Sequence, residues 1–139
     1  IRITFRYEIP DYALVGDREL LLKPMVMNNL YTSVLSFLRI DTGLETRQYG
    51  FRDACSRLVE LDETIALPRG YRLAGEPRSE QKAAPAADFE GSLQQVGNKL
   101  VLKQKLALKK RIYRAADWEG FRAAVNAYKS FADYLIVKL

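Results

Sequence analysis

The chain has 139 residues, 48% of them hydrophobic and 28% charged, which is typical of one globular domain and not of a disordered segment. It contains no histidine and one cysteine, which excludes a Ser-His-Asp or Cys-His catalytic group and a metal site rich in histidine or cysteine. We expect neither an enzyme nor a cofactor-binding protein. No apolar run reaches the roughly 18 residues that a membrane-spanning helix needs, so no membrane insertion is expected.

Both ends of the sequence are apolar, whereas most natural chains end in polar, disordered residues. Residues 1–9 already follow a strand-like pattern, and the last five residues are Leu-Ile-Val-Lys-Leu. We therefore expect residues 1–139 to be a single domain that belongs to a longer protein.

The positive charge is concentrated in one segment. The net charge is +5, and seven of the 22 basic residues lie between Lys99 and Arg114, where there is no acidic residue. Since the rest of the chain is slightly acidic, any attraction for an anionic partner should depend on this segment.

The first half of the sequence predicts strands around one irregular region. Residues 1–9 alternate apolar and polar side chains without a fault, which predicts a half-buried strand. A second strand is predicted at Arg18–Lys23, and the following spacing fits either a short helix near residues 28–38 or an irregular excursion. Strands return at Cys55–Leu67, with a bend or bulge at Glu63, where a charge interrupts the apolar face.

The clearest predicted element is a long hairpin. Ala87–Val96 and Lys99–Tyr113 flank Gly97-Asn98, a dipeptide that suits a type II′ turn. The register that follows sets apolar residues opposite each other and acid opposite base, in the pairs Phe89–Leu106, Leu93–Leu102 and Glu90–Lys105. The preceding residues, Ala74–Ala87, are polar with two prolines and are predicted to be a mobile loop.

The C-terminal part of the sequence predicts a helix and a final strand. Asp117 is the expected N-cap of a helix that runs to about Phe131, followed by a strand at Tyr134–Leu139. The apolar stripe of the helix, which the domain's own sheet should cover, consists of Trp118, Phe121, Val125, Tyr128 and Ala132. The whole pattern predicts a mainly β fold, an antiparallel β-sandwich like those of immunoglobulin and fibronectin domains, with one C-terminal helix.

The predicted strand Lys99–Tyr113 carries a candidate binding surface. Its even-numbered positions are apolar and should face inward, and Tyr113 is an aromatic residue on the outward face. The outward basic residues are Lys99, Lys103, Lys105, Lys109 and Arg111. This row fits either a polyanion such as an acidic glycan or a solvated face whose lysines prevent edge aggregation. Stacking aromatics are scarce there, so nucleic acid is not expected.

The other candidates for chemistry have structural explanations. Cys55 has no histidine to activate it and is expected to be a small, partly buried core residue. The acidic clusters at residues 60–63 and 88–90 do not predict a facing carboxylate pair, because the hairpin sets Glu90 beside Lys105. We therefore predict no catalytic, cofactor-binding or metal-binding residue.

A series of short motifs runs from Arg47 to the end of the chain. They are Leu67-Pro68-Arg69-Gly70-Tyr71, Pro77, the hairpin Leu100–Tyr113, Trp118-Glu119-Gly120-Phe121-Arg122 and Ile136-Val137-Lys138-Leu139. Together they resemble a C-terminal β-sandwich domain of unknown function that occurs in exported bacterial proteins. The catalytic domain of those proteins is transglutaminase-like, with papain-type chemistry, and they are putative proteases. The segment Arg47–Phe51 keeps an arginine of that pattern but has Gly50 where proline is expected.

The resemblance implies a non-catalytic accessory domain whose partner is the upstream catalytic domain of the same chain. It also implies an extracytoplasmic location, in the periplasm or at the cell surface. None of the family's catalytic residues map onto this sequence. The alternative hypothesis is an autonomous module that binds an acidic glycan or another polyanion through the basic residues between Lys99 and Arg111.

Overall fold

The computed structural model describes residues 2–25, 41–131 and 133–139. The described strands are β1 (Leu14–Val15), β2 (Glu19–Leu22), β3 (Phe51–Arg52), β4 (Arg57–Ala66), β5 (Arg72–Leu73), β6 (Arg78–Ala83), β7 (Ala87–Val96), β8 (Lys99–Leu108), β9 (Ile112–Tyr113) and β10 (Leu135–Lys138). A 3-10 turn at Ala115–Asp117 leads into helix α1 (Trp118–Ser130). No helix in the described part of the chain is both long and apolar enough to cross a membrane.

The described strands pair antiparallel in three sheets. Two have four strands, in the orders β1-β2-β10-β5 and β4-β8-β7-β6, and the third pairs β3 with β9. The predicted fold class is confirmed, since the chain is mainly β, with open antiparallel sheets in a sandwich-like arrangement and one C-terminal helix. The short helix predicted near residues 28–38 lies outside the described residues.

The predicted hairpin is confirmed in position and register. Gly97 has φ of +60°, the conformation that a type II′ turn requires at its first central residue, and glycine adopts it without strain. The three predicted cross-strand pairs all form, namely Phe89–Leu106, Leu93–Leu102 and Glu90–Lys105. A two-residue turn and an alternating pattern therefore sufficed to define β7 and β8.

Helix α1 packs on the inner face of the sheet β4-β8-β7-β6, as predicted. Its residues Trp118, Phe121, Val125 and Tyr128 are buried, and the rings of Tyr128 and Phe131 meet Phe89 of β7 edge to face. The predicted stripe residue Ala132 lies outside the described residues. The other four-stranded sheet adds inward residues to the same core: Leu20, Leu22, Leu135 and Val137.

The prediction of a strand at residues 1–9 was wrong for the described residues 2–9. They lie outside every described strand, and all eight are exposed, including Ile3 at 56% and Ile9 at 38%. Alternation indicates an amphipathic segment, but a strand also needs a neighbouring backbone that supplies its hydrogen bonds.

The bulge predicted at Glu63 was also wrong. β4 pairs with β8 without interruption from Arg57 to Ala66, so Glu63 stays on the inward face opposite Leu102. Its side chain is buried and accepts hydrogen bonds from the Met25 N–H, at 2.9 Å, and from the Tyr7 hydroxyl. These hydrogen bonds offset the cost of burying the Glu63 carboxylate, so β4 keeps its alternation of inward and outward side chains.

Two segments, Ala74–Ala87 and the end of the hairpin, differ from the prediction. The segment Ala74–Ala87 was expected to be a loop, but Arg78–Ala83 forms the edge strand β6, whose largely exposed side chains give no alternating apolar pattern. The strand predicted to reach Tyr113 ends at Leu108, and β9 begins after a turn. The alternation therefore restarts, leaving Ile112 76% exposed and Tyr113 buried, the reverse of the predicted orientation.

Candidate functional site

The five predicted basic residues do not form one continuous row. Lys99, Lys103 and Lys105 are exposed on the outer face of β8, the face opposite the one that α1 covers. Lys109 and Arg111 lie beyond the end of β8, in the turn that leads to β9. The structure therefore brings three of the five together on a sheet surface.

Acidic side chains lie beside two of these lysines, Lys103 and Lys105, on the neighbouring strands. Lys105 is opposite Glu60 of β4 and Glu90 of β7, and its Nζ is 4.0 Å from Glu60 Oε1. Lys103 is opposite Asp62. A shallow hollow of about 610 Å³ on this side of the sheet is lined by four acidic and two basic residues. The lining is therefore net acidic, which disfavours a polyanion at the centre of this face.

Of the two remaining basic residues, only Lys109 has a described ion pair. Lys109 Nζ lies 2.6 Å from Asp88 Oδ2 and donates a hydrogen bond to the Ala84 carbonyl. The Lys109 ammonium holds the pKa of the Asp88 carboxyl below its usual value. Arg111 is exposed, and its carbonyl accepts a hydrogen bond from Asp53 N–H. Polyanion binding through these residues stays an untested prediction.

The candidates for catalysis are dispersed. Cys55 is exposed, not partly buried as predicted, and Arg57, which follows it on β4, forms an ion pair with Asp53. In the described part of the chain, no three acidic, cysteine or histidine side chains gather in a way that could hold a metal ion. The residues singled out for chemistry thus lie in different local surroundings.

A second surface emerges on the outer face of the sheet β1-β2-β10-β5. Leu14 of β1 and Ile136 of β10 both pair with Leu21 of β2, so the three side chains form a line across the strands. Leu14 is 71% exposed and Ile136 is 42% exposed. We call Leu14, Leu21 and Ile136 the apolar row.

Ion pairs flank the apolar row on its two sides, along the direction of the strands. On one side Lys138 Nζ lies 3.8 Å from Glu19 Oε2, on strands that pair directly. On the other side Lys23 Nζ lies 2.5 Å from Asp133 Oδ1 and 5.2 Å from the centre of the Tyr134 ring. An apolar centre inside a charged rim is the anatomy of a protein–protein contact surface.

Sequence inspection missed the apolar row although one signal was present. Leu20-Leu21-Leu22 is an uninterrupted apolar run inside a strand, so Leu21 had to face away from the residues on either side of it. The partners Leu14 and Ile136 could be assigned only once the pairing of β1, β2 and β10 was known.

The arginine motif near residue 47 supports the core. Arg47 Cζ lies 4.7 Å from the centre of the Phe51 ring and 4.3 Å from that of Trp118, so the cation is held between aromatic side chains. A Cβ at Gly50 would lie 2.6 Å from the Tyr113 carbonyl oxygen. This close approach of β9 explains why glycine occupies that position.

The fold and its surfaces define a mainly β domain whose best candidate site is an interaction surface. Residues 18–137 match the family described as a domain of unknown function, DUF3858, and the chain belongs to that family. No curated protein matches the sequence.

A solved structure with a similar fold is that of a putative protease from Parabacteroides distasonis. The TM-score is 0.69 at 14% sequence identity, and the similarity covers 88% of this chain but 24% of that chain. This chain therefore spans about a quarter of the length of that protein. At such low identity the likeness shows the shared fold.

Proposed function

We propose that this domain is a non-catalytic accessory domain of an exported polypeptide whose catalytic portion is a transglutaminase-like protease. The observation that carries the proposal is the unequal span of the structural similarity, 88% of this chain against 24% of a putative protease. In a protein of that layout, most of the polypeptide lies outside this domain and is available for the chemistry.

The composition supports the same division of roles. Because the chain has no histidine, it cannot supply the Cys-His pair on which papain-type catalysis depends. The sequence motifs between Arg47 and Leu139 support a parent of transglutaminase-like type. An extracytoplasmic location, in the periplasm or at the cell surface, is part of this proposal and follows from the same resemblance.

We further propose that the apolar row is where this domain contacts the catalytic portion. Leu14 and Ile136 expose apolar area that a neighbouring domain would bury, and the flanking ion pairs would form the rim of the contact. Centrally placed apolar side chains contribute most to such interfaces, so changes at these two positions should weaken binding most.

The test is isothermal titration calorimetry, in which the separately produced catalytic portion of the parent polypeptide is titrated into the 139-residue chain. We expect binding, and the double substitution Leu14→Ser/Ile136→Ser should weaken it by at least about tenfold. The matched control is Leu58→Ser, which alters a side chain that is 56% exposed on β4 of the other large sheet. It should leave the affinity unchanged.

Three results would contradict the proposal. Peptidase or crosslinking activity of the 139-residue chain alone would show that it is not an accessory domain. Failure of the two parts to bind would refute the interaction, and an equal loss with Leu58→Ser would refute the role of the apolar row.

A further inference from the structure

Strands β3 and β9 form a two-stranded ribbon whose outer face is basic and partly apolar. Arg52 and Ile112 are directly opposite each other in this ribbon, and both are exposed, Ile112 at 76%. Arg114 continues β9 in an extended conformation, so its side chain lies on the same face as Ile112, and it is exposed as well. We call Arg52, Ile112 and Arg114 the arginine patch.

The inner face of the ribbon fixes the arginine patch to the core. The rings of Phe51 and Tyr113 stack there with their centres 4.6 Å apart, and Tyr113 is buried. The Tyr113 ring also meets Phe121 of α1 edge to face, and its hydroxyl accepts a hydrogen bond from the Lys110 N–H at 3.3 Å. The backbone that carries the patch is therefore already ordered, so a partner would not have to order it on binding.

The acidic residues nearest in sequence to the two arginines make other contacts. Asp53, which follows Arg52, forms an ion pair with Arg57. Asp117 Oδ1 lies 2.7 Å from Lys110 Nζ, and Asp117 Oδ2 accepts a hydrogen bond from the backbone N–H of Arg114 at 2.8 Å. The Arg52 and Arg114 side chains lie on one face of neighbouring strands, so their charges repel, and bound carboxylates would relieve that repulsion.

We propose that the arginine patch binds an acidic polypeptide segment in which carboxylates flank an apolar side chain. A guanidinium presents its N–H donors in a planar fork that matches a carboxylate, so Arg52 and Arg114 would each hold one carboxylate. The apolar side chain of the partner would cover Ile112. This proposal is independent of the accessory function, because it uses neither the apolar row nor a catalytic portion.

The exposed side chain of Ile112 favours a polypeptide over an acidic glycan as the partner. The sulfates or carboxylates of a glycan could pair with the arginines, but they would leave this aliphatic side chain in contact with water. A polypeptide supplies charged and apolar side chains together, and arginine is enriched in protein–protein interfaces. The arginine patch is also distinct from the basic row predicted between Lys99 and Arg111, since neither of its arginines belongs to that row.

The test is fluorescence anisotropy of a labelled synthetic peptide, Gly-Ser-Glu-Glu-Leu-Glu-Glu-Ser-Gly, titrated with the 139-residue chain at low salt. We expect binding that weakens as the salt concentration rises, and no binding of the same peptide with Gln in place of every Glu. Arg52→Glu and Arg114→Glu should each weaken binding at least about tenfold, because each replaces an attraction by a repulsion. Arg52→Lys should weaken it less, and Ile112→Ser should weaken it several-fold through the lost apolar contact.

The matched controls lie at the end of the long hairpin that is remote from β9. Lys99→Glu makes the same charge change on another exposed residue, and Val96→Ser alters an apolar side chain that is 57% exposed. Both should leave the affinity nearly unchanged. Failure of the peptide to bind, an equal loss with Lys99→Glu, or no effect of Ile112→Ser would each overturn the proposal. Tighter binding of a heparin oligosaccharide that is insensitive to Ile112→Ser would also overturn it, in favour of a glycan. Thermal unfolding of every variant verifies that these exposed substitutions leave the domain folded.

Discussion

Residues 2–9 and strand β8 have the same alternation of apolar and polar side chains but occupy different environments. In β8 the backbone pairs with β4 on one side and β7 on the other, and its inward leucines are buried under α1 and the opposing sheet. Residues 2–9 lie outside the described sheets, and Ile3 remains 56% exposed. Alternation makes a segment amphipathic, but partners and a covering layer decide whether it becomes a core strand.

The largest effect on stability is expected when part of the layer of side chains that covers β7 and β8 is removed. Trp118 at the start of α1 is 2% exposed, packs against Phe51 and Phe121, and donates from Nε1 to the Leu44 carbonyl at 3.0 Å. We expect Trp118→Ala to lower the free energy of unfolding by about 3–5 kcal/mol, because it leaves a cavity and removes the hydrogen bond to Leu44. Urea denaturation monitored by circular dichroism measures the loss.

The control for this substitution is Tyr49→Ala, since that aromatic ring is 80% exposed. It should change stability by less than about 0.5 kcal/mol. A Trp118→Ala protein as stable as the unaltered chain would show that the helix does not hold the inner face of the sheet together.

The comparison also explains what could be predicted from the sequence. The hairpin followed from Gly97-Asn98 and from alternation on both sides, which are local signals, and the helix stripe followed from its own spacing. Residues 2–9, in contrast, show the same pattern as a strand, and only the arrangement of the sheets shows that no described strand lies beside them. Edge strand β6 escaped prediction for the opposite reason, since an exposed edge does not need an apolar face.

The candidate surfaces, too, could be predicted from the sequence only in part. The lysines of β8 and the pair Glu90–Lys105 were identifiable from the sequence, but Glu60 and Asp62 lie on β4, which is distant in sequence and adjacent in space. The apolar row required the pairing of β1 and β10 with β2. Properties that arise from one segment were predictable, whereas properties shared between segments required the fold.

A second substitution tests what ties residues 2–9 to the sheet. Glu63 is 7% exposed and accepts hydrogen bonds from Met25 N–H and the Tyr7 hydroxyl. We expect Glu63→Ala to cost about 2 kcal/mol of stability, because it leaves the buried Met25 N–H without its acceptor. It should also speed hydrogen exchange in residues 2–9. Urea denaturation and exchange mass spectrometry measure the two effects.

Glu60→Ala removes an exposed carboxylate from the outer face of the same strand and should cost less than about 0.5 kcal/mol. If Glu63→Ala and Glu60→Ala proved equally stable, the buried Glu63 carboxylate would not hold the N-terminal segment against β4.

A smaller effect is expected at alkaline pH from the helix face that covers β7. Burial raises the pKa of Tyr128 to about 12, whereas in the unfolded chain a tyrosine has a pKa of about 10. The unfolded state therefore loses this proton first, and stability should fall as the pH rises between those values. At roughly pH 11, the Tyr128→Phe protein should therefore have lost about 1 kcal/mol less unfolding free energy than the unaltered protein.

The measurement for Tyr128 is the free energy of unfolding of both proteins from neutral to alkaline pH, with their difference at pH 7 as the baseline. The two curves should converge or cross as the pH approaches 11. Curves that stay parallel throughout would show that the Tyr128 hydroxyl is not held in a buried environment.

The smallest effect should come from the outer face of β8, where side chains meet water instead of a covering layer. Lys105 lies between Glu60 and Glu90, so Lys105→Glu would place three acidic side chains in a line across the sheet. We expect a loss of about 0.5–1 kcal/mol at low salt that shrinks at high salt, because exposed charges are screened. Lys99→Glu is the matched control, since its cross-strand neighbours are Ala66 and Val96. Thermal unfolding at both salt concentrations compares the variants, and equal losses would mean that total charge, not cross-strand pairing, governs this face.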